Sequence, residues 1–205
     1  MANATGRILL IGATDLELCG HPGLICGIGP VEAAATTAAE LVVMRPDAVL
    51  HVGIAGGRGI TPGSLAIGSE SVYVDLSAEI PLVERVEPDI ELVAAAREAV
   101  PYAIALPIAT SGAVAQGHIH HEFRVEGMEG FGVLRACAIA GVPALEVRAI
   151  SNDLGEPDRS RWRVRRALEV LDEAIPPLLE AIASSVLPHG AADIEHARAP
   201  SSAPA

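Results

Sequence analysis

The run Arg7-Ile-Leu-Leu-Ile-Gly-Ala13 is apolar without alternation and ends on a glycine, the pattern of a strand buried on both faces. Gly27-Ile-Gly-Pro30 then opens an alanine-rich stretch, Val31 to Met44, with Pro30 placed to start a helix. A second buried strand, Ala48 to Val52, runs into Gly53-Ile-Ala-Gly-Gly57. Strand, glycine turn, helix and strand in this order predict an α/β fold with a largely parallel sheet. The same reading predicts strands at Ser71 to Leu76, Ala103 to Ala109 and Ala144 to Ile150. Helices are predicted at Pro88 to Val100, Met128 to Ala140 and, with clear amphipathic spacing, Arg161 to Val186. Residues 1–186 are expected to form one domain. Residues 187–205 turn to His, Gly, Ala, Pro and Ser, too little apolar surface to order a tail.

Composition removes whole classes of chemistry. All 14 basic residues are arginine, so a lysine Schiff base, a pyridoxal phosphate anchor and a phosphate-loop lysine are excluded. A formal net charge of −12 has the wrong sign for a chain that tracks a nucleic-acid backbone. No stretch approaches the ~20 apolar residues of a membrane-spanning helix, and no basic segment precedes a long apolar run. Cys19, Cys26 and Cys137 are odd in number and form no Cys-x-x-Cys pair, so they read as free thiols in a reducing cytoplasm. Tyr73, Tyr102, Phe123, Phe131 and Trp162 are the whole aromatic inventory.

Three polar residues fall where predicted strands end or a helix begins: Glu17, Glu129 and Asn152. In open α/β sheets ligands bind beyond the carboxyl ends of the strands, so these positions can meet in one pocket. Each alone also reads as a turn or helix-start residue, Glu129 through the helix dipole. The most distinctive run is Glu126-Gly-Met-Glu-Gly-Phe-Gly132, where glycines flank a carboxylate.

That run resembles the Met-Glu-Gly motif of the purine nucleoside phosphorylase and nucleosidase superfamily. With Val147-Arg-Ala-Ile-Ser-Asn152, Asp158-Arg159 and Trp162-Arg163 it is most similar to the futalosine hydrolases of menaquinone biosynthesis, over roughly residues 7 to 180. The resemblance implies a three-layer α/β/α sandwich around a mixed, mostly parallel sheet, and a homo-oligomer. It implies that Glu17 activates a water molecule, that Glu129 binds the ribose hydroxyls, and that Met128 packs on the sugar. Ala55 and Gly56 would line the pocket wall. Adenosine-type relatives carry an aspartate where this chain has Asn152, with Asp153 beside it. An amide offers a donor and an acceptor without titrating, which matches the O6, N7 and N1–H of a 6-oxopurine. Phosphorylases of the superfamily hold phosphate with an arginine where this chain has His51, so water is the expected nucleophile. No cofactor is expected.

His118-Ile-His-His121 is too short a tract to specify a metal, and none is predicted. The arginines at 159, 161, 163, 165 and 166 read as a charged helix face, but arginine's planar fork also suits a carboxylate. Futalosine carries a benzoate, so Arg159 is the candidate to hold it. Phe131 is expected in the core, and Trp162 is expected to anchor the last helix by packing. The alternatives are a nucleosidase for methylthioadenosine, S-adenosylhomocysteine or aminodeoxyfutalosine, and a non-catalytic nucleotide-binding domain.

Overall fold

The computed structural model describes residues 6–76, 79–113 and 122–186. Within them the strands are β1 (Ile8–Gly12), β2 (Leu24–Ile25), β3 (Ala48–Gly57), β4 (Leu65–Tyr73), β5 (Arg85–Val86), β6 (Ile104–Thr110), β7 (Val125–Gly127) and β8 (Ala144–Asp153). The helices are α1 (Pro30–Met44), α2 (Ile90–Ala99), α3 (Gly130–Ala140) and α4 (Val164–Ser185). Pro30 opens α1 as expected, and Asp89 caps α2 by accepting from the Glu91 and Leu92 amides at 3.0 and 3.1 Å.

The sheet is mixed. β3 lies parallel to β1 and β8, and β4 parallel to β6, whereas β8 meets β4 antiparallel. β7 closes the circuit, parallel to β6 and antiparallel to the end of β3, so β3, β8, β4, β6 and β7 form a hydrogen-bonded ring. The pleat divides the side chains between two helical layers. Leu9, Ile11 and Val49 pack with Ala33 and Leu41 of α1 and Leu134 of α3. Leu10, Leu50 and Val52 pack with Leu92 of α2 and Leu171 and Ile175 of α4. Because both faces are covered, the strands carry no polar alternation, and this is why β1 is an unbroken apolar run and β3 an apolar run interrupted only by His51. Inside the ring, Ala55, Ala66, Ile108, Val125 and Ile150 make a small separate core.

Two sequence expectations shift. The strand predicted from Ser71 lies at Leu65–Tyr73, its apolar run disguised by Gly68-Ser-Glu70, where the ladder to β6 skips a residue. The three-residue β7, at the start of the Glu126–Gly132 run, was not anticipated at all. Short strands between glycines carry too little periodicity to be read.

Candidate active site

Glu17, Glu129 and Asn152 line one cavity of about 250 Å³ above the carboxyl ends of β1, β3 and β8, together with Ala55, Gly56 and Met128. Glu17 follows the turn after β1. Its Oε1 accepts from the Ile54 amide of β3 at 2.9 Å, and its Oε2 accepts from the Thr14 amide and hydroxyl, each at 3.2 Å. A Cβ at Gly53 would collide with Glu17 Oε1 and with Nη1 of Arg148, so glycine is required for the strand to pass beneath these two groups.

Glu129 occupies the N-cap position of α3, yet its side chain caps nothing there. Thr110 Oγ1 takes that role, accepting from the Phe131 amide at 2.8 Å. The Glu129 carboxylate reaches instead to the amide of Gly29, at 3.0 Å, and lies 3.6 Å from Arg148 Nη1. Burial pushes its pKa above the ordinary carboxyl value, against the pull of Arg148 and the Gly29 N–H.

Beneath the cavity lies a buried ionic network that the sequence reading did not assign. Arg148 of β8 is fully buried. Its Nε–H donates to Glu146 Oε1 at 2.8 Å and its Nη2–H to His51 Nε2 at 2.5 Å, while His51 Nδ1–H donates to the Ile11 carbonyl at 3.1 Å. Burial and the Arg148 charge hold His51 well below its usual pKa, so the ring is neutral and Nε2 is free to accept. Against its own desolvation, Arg148 is held charged by Glu146, Glu129 and Glu17. Its Nη1 has no hydrogen-bond partner among the described residues and sits against both Gly53 and Glu129. The signal was present in the strand: Glu146 and Arg148 are charges two apart in an apolar run, hence on one face.

Asn152 lies within β8, which runs three residues beyond the predicted end. The register against β3 slips by one between Ala55 and Gly56, leaving Ser151 as the extra residue. Ser151 Oγ donates to Asn152 Oδ1 at 2.6 Å, and Asn152 Nδ2 donates to the Asp153 carbonyl at 3.0 Å. The amide is thereby oriented, with its second N–H unspent. Asp153 does not join the site as expected: it is exposed and outside the cavity lining, since successive strand residues face opposite ways. Arg159 is also exposed and outside the lining, in the short 3-10 turn Arg159–Arg161, with its guanidinium 5.6 Å from the centre of the Trp162 ring.

Trp162 differs from expectation. It lines the cavity beside Val164 and Leu168, its indole N–H donating to the Glu156 carbonyl at 3.0 Å. Phe131 stays in the core, stacked on Tyr73 with ring centres 5.5 Å apart. The thiols of Cys26 and Cys137 are pushed up to about 12 by burial, which keeps them unreactive. The tract at 118–121 lies outside the described residues.

Residues 18–184 match the model of the phosphorylase superfamily. The chain is 36% identical to a futalosine hydrolase of Streptomyces coelicolor, over 78% of this chain and 79% of that protein. It is 33% identical to a 5'-methylthioadenosine/S-adenosylhomocysteine nucleosidase of Geobacillus kaustophilus, over 63% and 66%. The fold matches the futalosine hydrolase structure of Helicobacter pylori with a TM-score of 0.76 at 18% identity, covering 86% of this chain and 98% of that one. The chain therefore belongs to the phosphorylase superfamily and, within it, to the futalosine hydrolase family.

Proposed function

We propose that this protein hydrolyses the N-glycosidic bond of futalosine, releasing hypoxanthine on the route to menaquinone, as a cytoplasmic homo-oligomer. The observation that carries the reading is the pair of fixed carboxylates, Glu17 and Glu129, facing one cavity that an amide, Asn152, also lines. Water attacks C1′ as the bond from C1′ to N9 breaks, through a ribosyl group with oxocarbenium character. Glu129 on the ribose hydroxyls stabilises that positive charge where it develops. Glu17 takes the proton of the attacking water, a role typically worth ~10²–10⁴ in rate. Arg148, buried beneath the cavity and outside its lining, does not touch the water; its positive charge steadies both carboxylates from below. The electron pair of the broken bond stays with the base, the spare Asn152 N–H donates to its O6 and N7 edge, and the base takes up a proton from solvent to leave as neutral hypoxanthine, while Glu17 returns its proton to solvent.

Water is favoured over phosphate on electrostatic grounds. Leaving aside Glu126, the cavity is lined by two carboxylates, Glu17 and Glu129, and by no Arg or His among the described residues. An incoming dianion would meet like charge. His51, at the position of the phosphorylase arginine, is neutral and buried below the strand. The test is to incubate the protein with futalosine, inosine and methylthioadenosine, with and without phosphate, and to follow the free base by chromatography. Hypoxanthine from futalosine without phosphate, lost in E17Q, is expected. Adenine from methylthioadenosine with futalosine untouched would transfer the chain to the other nucleosidases, and no base from any substrate would leave a binding domain.

A further inference from the structure

The mechanism above leaves one cavity carboxyl without work. Glu126 is 8% exposed and lines the cavity, and its Oε2 has no hydrogen-bond partner among the described residues. Leaving a buried polar oxygen unsatisfied is costly, by about 1–3 kcal/mol, unless a ligand completes it. Its place in the sheet says which ligand edge it meets. Gly56 of β3 pairs with Asn152 on one side and with Glu126 of β7 on the other. Side chains at paired positions rise on the same face, here flanking a residue with no side chain. Strand spacing puts the two backbones about 10 Å apart across Gly56, room for a flat bicyclic ring between them.

We propose that Glu126 is a second base-recognising residue, whose carboxyl O–H donates to N3 of the bound purine on the edge opposite Asn152. The proposal rests on reading the cavity as a purine nucleoside site with Asn152 on the O6 and N7 edge. A purine so held turns its N3 edge toward β7, and N3 is an acceptor with no hydrogen of its own. Only a protonated carboxyl can donate to it. Desolvation pushes the Glu126 pKa up to about 7, with the Asp75 carboxylate raising it and Arg58 lowering it; Glu17 and Glu129 are the other acidic groups of the cavity lining. Asp75, after β4, is itself held as an acceptor by Ser111 Oγ at 3.0 Å and the Gly112 amide at 2.5 Å. As the base leaves with the electron pair of the broken bond, charge spreads onto N3, and a donor there gains strength in the transition state.

The experiment measures kcat/KM for hypoxanthine release from futalosine and inosine, and for base release from 3-deazainosine, between pH 5.5 and 9. The wild-type protein, E126Q and E126A are compared. The wild type is expected to lose activity as pH rises through about 7, where the O–H is titrated away. E126Q keeps a neutral N–H donor of the same shape, so it should retain activity and lose this alkaline limb. E126A should be about tenfold slower on inosine yet no slower than the wild type on 3-deazainosine, where a C–H already replaces N3. Equal losses on inosine and 3-deazainosine in E126A, or an unchanged alkaline limb in E126Q, would overturn the assignment while leaving the hydrolase reading intact. Failure of the wild type to release base from futalosine or inosine would remove that reading, and the assignment with it.

Discussion

Within the cavity Glu17 and Glu129, the proposed ribose end, are clamped from several sides, whereas Asn152 and Glu126, the proposed base end, keep hydrogen-bonding capacity unspent. Glu17 accepts three hydrogen bonds from the protein, and Glu129 is fixed between an amide and Arg148. Among the described residues Asn152 has two of its bonds made and one N–H left, and Glu126 has an oxygen with no partner. The difference suits the role proposed for each end. Positive charge develops on the sugar only in the transition state, and groups that stabilise it must be oriented beforehand. The base is present in the ground state and is recognised by bonds that its arrival completes. Changes at the ribose end should therefore strike stability and kcat together, and changes at the base end should alter which substrate is preferred.

The largest effect is expected from R148M. It leaves Glu146 buried without its cation and removes the positive charge between Glu129 and Glu17, a loss of about 3–5 kcal/mol for breaking a buried pair. Urea unfolding should show the fall in midpoint, together with loss of activity. The double variant R148M/E146L, which removes both charges, should recover much of the stability and none of the activity. If it recovered both, the ribose end would not depend on a preformed field, and the contrast with the base end would disappear.

How much of this was legible depends on the distance over which each feature is built. The buried strands were readable because the apolar runs Arg7–Ala13 and Ala48–Val52 are local and their glycine stops lie beside them. Glu17, Glu129 and Asn152 were readable because a strand end or helix start is a local event, and the structure gathers all three at one cavity. The ionic network was not. His51 reaches Arg148 across 97 residues of sequence, and its ring nitrogens serve as donor and acceptor only because β3 lies between β1 and β8. Glu126 carries no role in the sequence reading, although it is a strand residue facing the cavity, because β7 is too short to leave a period. Trp162 was taken for an anchor because nothing in its neighbours reveals that α4 begins at the mouth of a pocket.

N152D comes next in size and tests the base end directly. The exchange keeps the acceptor that Ser151 addresses and puts an oxygen in place of the whole NH2, removing both the spare N–H and the one donated to the Asp153 carbonyl. Ionised, it would repel O6 and N7; protonated, it could donate to N7 and suit a 6-amino base. The ratio of kcat/KM for inosine to that for adenosine should fall by about tenfold or more, with the unfolding midpoint lowered by the loss of the bond to the Asp153 carbonyl, about 1–3 kcal/mol. A ratio that did not move would place the discrimination elsewhere in the cavity.

The smallest effect is expected at the rim, from R159A. Arg159 is exposed, and an exposed ion pair is worth about 0.2–1 kcal/mol, so KM for futalosine should rise no more than about fivefold. Inosine, which has no carboxylate, should keep its KM if the guanidinium holds the benzoate of futalosine. Arg159 also lies over the Trp162 ring, and Trp162 lines the cavity. A guanidinium that only steadied the indole would affect both substrates alike, since both must enter past it. Added salt separates the two roles. The selective effect on futalosine should shrink as ionic strength rises and the rim charge is screened, while an effect transmitted through Trp162 packing should persist.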